Sequence, residues 1–174
     1  MDNIILIGYM GSGKSSVAKS LAEKTGMELL DTDQRIEENE KRRISDIFDS
    51  EGEAAFRNME TALLKELLDQ GFKGILSTGG GMPVREENRS LLKKLGKVIY
   101  LKTSVDTLAM RLIGDHSRPL LQGETEESKK KKIADMLSSR EPAYMAASDA
   151  VIPTDEMTTA GLADEILTYM AFAY

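Results

Sequence analysis

The 174-residue chain contains no cysteine, so disulfides are excluded. It has no apolar run near the roughly 20 residues that a membrane span requires, and no membrane association is expected. It opens Met1-Asp2-Asn3 rather than with a basic and apolar leader, which points to the cytoplasm. There is no basic excess either: a net charge of −6 disfavours nonspecific nucleic-acid binding, and cations that meet an anionic ligand should do so locally, in a pocket. Internal repeats and low-complexity tails are absent, and the single histidine, His116, reads as a solvated loop residue. What remains is 41% hydrophobic and 30% charged, an ordinary composition for one domain spanning 1–174, expected to be a monomer.

The most informative segment is Gly8-Tyr-Met-Gly-Ser-Gly-Lys-Ser15, the spacing G-x-x-x-x-G-K-[ST], directly after the apolar run Ile4 to Ile7. A polyphosphate must be wrapped at close range by backbone N–H groups at the positive end of the following helix, and Gly8, Gly11 and Gly13 permit that approach. Lys14 offers a compact cation to the β- and γ-phosphates. The Ser15 hydroxyl suits Mg²⁺, which prefers hard oxygen ligands. The segment Gly11, Ser12, Gly13, Lys14, Ser15 and Ser16 is therefore expected to bind ATP or GTP with Mg²⁺.

Short apolar strands alternate with amphipathic helices, the pattern of an α/β fold whose parallel sheet is covered on both faces. Strands are predicted at Asn3 to Ile7, Glu28 to Leu30, Gly74 to Ser77, Val98 to Leu101 and Ala150 to Ile152. Helices are predicted from Lys14 to Gly26, from Asp33, through Phe56 to Leu68, from Val105 to Ile113, from about Ser128, and from Thr158 to Phe172, whose Leu162, Ile166, Leu167, Met170 and Phe172 should pack on the sheet. The connection between strands two and three exceeds a minimal crossover, so a substrate-binding insertion is expected at about 33–61. Residues 114–127 are polar, carry Gly114 and Gly123, and read as a mobile lid.

Asp31 and Asp33 end strand two, where ligands of open parallel sheets bind. One carboxylate can hold Mg²⁺ directly or through water, and the other can orient or deprotonate an attacking hydroxyl; alternatively, Asp33 caps the helix that follows. Arg57 and Glu60 lie three apart on one helix. Glu60 either steadies the guanidinium for a ligand or makes an ordinary surface ion pair with it. If Arg57 binds an acceptor, its truncation should weaken acceptor binding and leave thermal stability nearly unchanged. Gly79, Gly80 and Gly81, directly after strand three, let backbone N–H groups approach an anion or hydroxyl.

Taken in order, the P-loop, Asp31-Thr-Asp33, Phe56-Arg57 with Glu60, the glycine run, Arg118-Pro-Leu-Leu121 and Arg140-Glu-Pro-Ala-Tyr144 resemble the motifs of shikimate kinases over nearly the whole chain. The resemblance implies ATP-dependent phosphorylation of the 3-hydroxyl of shikimate, on the route to chorismate and the aromatic amino acids. It also implies a three-layer, nucleoside-monophosphate-kinase-like P-loop fold with sheet order 2-3-1-4-5. Asp33 would contact the substrate hydroxyls, with Arg57, Gly79, Gly80, Gly81 and Arg140 completing the acceptor site. Ser15 and Asp31 would hold Mg²⁺, Arg118 would close over the phosphates, and Arg111 would stack on adenine. A small ring bearing one carboxylate and three hydroxyls fits such a set of guanidinium forks, carboxylate and backbone donors.

Two features depart from the family pattern: Ala146 stands where many relatives carry glutamate, and the region Pro153-Thr-Asp155 matches only loosely. Lys129 to Lys132 could steer anions or simply solvate a helix start. Gluconate kinases, nucleoside monophosphate kinases and a nucleotide-sensing module remain the rival readings. None of them accounts for the full ordered set of motifs.

Overall fold

The computed structural model describes residues 2–113 and 125–173. A five-stranded sheet has the order β2-β3-β1-β4-β5, with β1 Ile4–Ile7, β2 Leu29–Asp31, β3 Ile75–Ser77, β4 Lys97–Lys102 and β5 Ala150–Pro153. All four pairings are parallel; Ile4 lies opposite Ile75 on one side and Lys97 on the other. The expected α/β class and strand order are both present. Because the sheet is covered on both faces, β1 is apolar throughout rather than alternating. Ile5 and Ile7 enter a core with Leu64, Leu92 and Ile133, while Ile4 and Leu6 enter a second core with Leu21 and Ile166.

The helices are α1 Lys14–Thr25, α2 Thr32–Glu40, α3 Ile44–Asp69, α4 Glu86–Leu95, α5 Val105–Ile113, α6 Glu126–Ala147 and α7 Thr159–Phe172. Gly26 closes α1 in the left-handed region at φ 71°, and its N–H donates to the Ala22 carbonyl. The long α3 is kinked at Gly52, whose φ of 82° only glycine adopts without strain. The bend folds the first part of α3 back so that Phe48 and Phe56 stack at 5.1 Å.

Several sequence expectations are corrected. The sequence reading leaves residues 86–95 unassigned, yet α4 is a regular helix with Glu86 and Glu87 in its first turn, Lys93 and Lys94 in its last, and buried Leu91, Leu92 and Leu95. Phe172, expected on the sheet, is 83% exposed, whereas Leu162, Ile166 and Met170 are buried as expected. The helix expected from about Ser128 begins at Glu126, with the Thr125 hydroxyl accepting from the Ser128 N–H. Residues 126 and 127 therefore belong to α6 and not to the expected lid. The rest of that lid, with His116 and Arg118, lies outside the described residues apart from Thr125. Among the described residues, no helix is long and apolar enough to cross a membrane.

Candidate active site

Parallel strands place their carboxyl ends along one edge, and three of these ends build the site. After β1 the P-loop turns through left-handed glycines at Gly11 (φ 80°) and Gly13 (φ 91°) into α1. The Lys14 ammonium folds back and donates to the Gly8 carbonyl at 2.7 Å and the Tyr9 carbonyl at 2.9 Å, tying the start of α1 to the start of the loop. Arg111, from α5, donates to the Gly11 carbonyl at 2.9 Å. A cleft of about 450 Å³ runs along this loop; its lining includes Ser12, Ser15, Ser16, Asp31, Asp33, Gly79 and Gly80, together with Arg111, Met157, Thr159 and Leu162. Of the expected nucleotide residues, Gly11 to Ser16 and Arg111 line this one cleft, and Arg118 lies outside the described residues.

The two aspartates after β2 divide their tasks. Asp31, not Asp33, caps α2, accepting from the Gln34 N–H at 3.1 Å. Capping therefore does not account for Asp33, which sits in the first turn of α2. Its Oδ1 is buried and makes no hydrogen bond among the described residues. Burial, with the neighbouring Asp31 charge adding to it, pushes the Asp33 carboxyl up to about 6, and Lys14 and Arg57 oppose the shift. An unpaired buried carboxylate oxygen is costly, and Asp33 keeps the capacity to accept a hydrogen bond from an incoming donor.

The Arg57–Glu60 pair is not a surface pair. The Arg57 side chain is only 13% exposed, and its Nη1 donates to both oxygens of Glu60, at 3.0 and 2.9 Å, while its Nη2 donates to Glu53 at 3.1 Å. Glu60 is completely buried. Burial pushes the Glu60 carboxyl up to about 7, against the charge and hydrogen bonds of Arg57.

The glycine run explains how these groups meet. A β-carbon at Gly79 would lie 2.6 Å from Asp33 Oδ1 and 3.1 Å from Glu60 Oε1. One at Gly81 would overlap the Arg57 guanidinium, and one at Gly80 would sit 3.3 Å from the Met10 nitrogen and 3.5 Å from Arg140 Nη1. Gly79 and Gly81 are needed for their missing side chains, beside Asp33 and Arg57, whereas at Gly80 the tight approach is to the P-loop backbone and Arg140 is at ordinary contact distance; none of the three adopts a positive φ. The Gly79 N–H is already taken by the Thr32 hydroxyl at 3.0 Å, so Gly79 does not offer the free backbone donor expected of it. Thr32 is a structural partner that the sequence reading missed; its position between two aspartates was the available signal.

Arg140, on α6, lies over the Tyr9 ring at 5.7 Å. Tyr144, one turn on, reaches back to the Gly80 carbonyl at 2.6 Å. The loosely matching segment after β5 is structurally firm: Thr154 and Thr103 share a 2.6 Å hydroxyl contact, and Asp155 accepts from the Ser104 N–H and hydroxyl ahead of α5. Ala146 is exposed.

A phosphate loop beside a paired arginine and an orphaned carboxylate defines a kinase-like cleft, and comparison with known proteins names its family. The family model described as Shikimate kinase matches residues 10–171. The chain belongs to the shikimate kinase family. A shikimate kinase of Histophilus somni is 42% identical over 95% of this chain and 93% of its own length, and one of Chromohalobacter salexigens is 41% identical over 96% and 91%. Among solved structures, the shikimate kinase of Acinetobacter baumannii in complex with shikimate superposes with a TM-score of 0.89 at 40% identity, covering 98% of this chain and 93% of that one. The enzyme of Bacteroides thetaiotaomicron gives 0.89 at 29% identity, covering 98% and 99%.

Proposed function

We propose that the chain transfers the γ-phosphate of ATP to the 3-hydroxyl of shikimate, giving shikimate 3-phosphate and ADP, with the cleft described above as its active site. The observation that carries the site assignment is Asp33, which lines the same cleft as the P-loop and has a buried Oδ1 with no hydrogen-bond partner among the described residues. Family membership supplies the reaction class.

In this reading the backbone of Gly11 to Ser16 cradles the phosphates, and Lys14 exchanges its two loop carbonyls for phosphate oxygens. Arg57 and Arg140 bind the acceptor carboxylate, and Asp33 with the Gly80 backbone orients the hydroxyls. The 3-hydroxyl oxygen forms its new bond to the γ-phosphorus as the bond to the ADP oxygen breaks, and the hydroxyl proton passes to Asp33 Oδ1. A carboxyl titrating near 6 is mostly ionised at pH 7.5 yet more basic than an ordinary aspartate, which suits that role. Arg118 is the remaining cation assigned from the sequence to the transferring phosphate. Arg111, which also lines the cleft, is assigned to the adenine.

The donor set fits Mg²⁺. The Ser15 hydroxyl and the Asp31 carboxylate are hard oxygens from residues that line the cleft, and Asp31 uses only one oxygen in capping α2. Among the described residues no cluster of three metal-binding side chains exists, so the remaining ligands would be phosphate oxygens and water. When bound, the ion neutralises charge on the β- and γ-phosphates.

The discriminating experiment is ADP release with Mg·ATP and shikimate, gluconate, AMP or no acceptor. Turnover is expected with shikimate alone; turnover with gluconate or AMP but none with shikimate would sink the assignment.

A further inference from the structure

Tyr144 is fully buried in α6, and its hydroxyl donates to the Gly80 carbonyl at 2.6 Å, joining residues 64 apart in the chain. Arg140 precedes it by one helical turn, so guanidinium and phenol leave α6 on the same face. Both converge on Gly80, where a β-carbon would stand 3.5 Å from Arg140 Nη1 and 3.6 Å from the Gly8 carbonyl. Gly80 is thus clasped between α6 and the P-loop.

We infer that Tyr144 is a positioning residue for the acceptor: its hydrogen bond fixes the Gly80 carbonyl, and through it the glycine run against which Asp33, Arg57 and Arg140 are packed. The inference rests on the reading that Gly80 and Arg140 border the acceptor. Three side observations support it. The glycines carry no side chains to lock their own backbone, so an external tether is required. Burial pushes the Tyr144 hydroxyl up to about 12, so it remains a donor across the working pH range. The Tyr144 ring packs on Tyr100 at 5.0 Å, which immobilises the phenol that holds the glycine. Tyr100 supplies an internal control, because its own hydroxyl is buried with no hydrogen-bond partner among the described residues.

The test compares Tyr144→Phe, Tyr100→Phe and Arg140→Ala in steady-state kinetics with each substrate varied. Tyr144→Phe is expected to raise the KM for shikimate about tenfold, with kcat changed less than about threefold and the KM for ATP unchanged. Tyr100→Phe should leave all three at wild-type values. If Tyr144→Phe leaves the shikimate KM within twofold of wild type while Arg140→Ala raises it strongly, the tether has no positioning role, although the acceptor site stands. If Arg140→Ala also leaves it unchanged, the site reading itself fails, and the inference with it. A loss of stability alone is separated by thermal shift. Saturating shikimate should raise the Tm of Tyr144→Phe by clearly less than it raises that of wild type, whereas ADP should raise both equally; equal shikimate shifts overturn the inference even for a less stable variant.

Discussion

Glu60, with no exposed surface, accepts two hydrogen bonds from Arg57 at 3.0 and 2.9 Å, so the guanidinium that faces the glycine run is anchored on a carboxylate sealed inside the protein. The pair therefore couples acceptor binding to stability. This revises the expectation from the sequence that truncating Arg57 spares the fold. Arg57→Ala should raise the shikimate KM and lower kcat/KM by about 2–4 kcal/mol in transition-state terms. It should also destabilise the protein by about 3 kcal/mol at pH 8, because it strands a buried charge. The stability loss should shrink at pH 5, where Glu60 is protonated. Denaturant melts at the two pH values check this, and an equal loss at both would show that the ion pair is not its source.

Asp33→Asn keeps the shape of the side chain and removes the charge. kcat should fall by about 10²-fold or more, with ATP affinity nearly unchanged. Stability should move the other way. Asp33 titrates near 6 in the folded protein against 3.8 in the free group, so the folded state holds its proton more tightly and loses stability as pH rises from about 4 to about 6. The variant escapes that penalty and should be more stable than wild type by about 1–2 kcal/mol at pH 8, a gain that vanishes toward pH 4. Wild-type kcat in place of the fall would reduce Asp33 to a residue of the first turn of α2.

Gly79→Ala tests the cradle. The new methyl would lie 2.6 Å from Asp33 Oδ1, and both Asp33 and Glu60 would have to move. A drop in kcat/KM of about tenfold or more is expected, because misplacing a reacting group by a fraction of an ångström is expensive. The comparison is Gly26→Ala, where a β-carbon meets nothing within 4 Å and only the left-handed backbone is strained, so stability should fall while activity per folded molecule stays the same.

Chelation of divalent cations should abolish ADP formation, and Mg²⁺ should restore it. Ser15→Ala should raise the Mg²⁺ concentration needed for half-maximal rate, leaving the melting temperature of the free protein within about 2 °C, since Ser15 is exposed. An unchanged Mg²⁺ requirement would remove Ser15 from the ligand set.

Short-range signals settled much of this protein in the sequence. The P-loop spelling, the apolar run before it and the acids ending strand two depend on contiguous residues, and they identify the phosphate cradle and the α/β class without reference to the rest of the chain. Helical periodicity likewise placed the buried Leu162, Ile166 and Met170. Tertiary structure decided what could not be local. Whether Asp31 or Asp33 caps α2 depends on which carboxylate the turn brings to the Gln34 N–H. Whether Arg57–Glu60 is a surface pair depends on what α3 packs against, and Glu60 proves fully buried. The purpose of the glycine run becomes visible only when the parallel sheet brings Asp33 and Arg57 to the end of β3, where they fill the space that side chains at positions 79 and 81 would have occupied. Spacing along a chain specifies local backbone geometry, whereas burial, and the charges and pKa values that follow from it, arises from contacts between residues tens of positions apart.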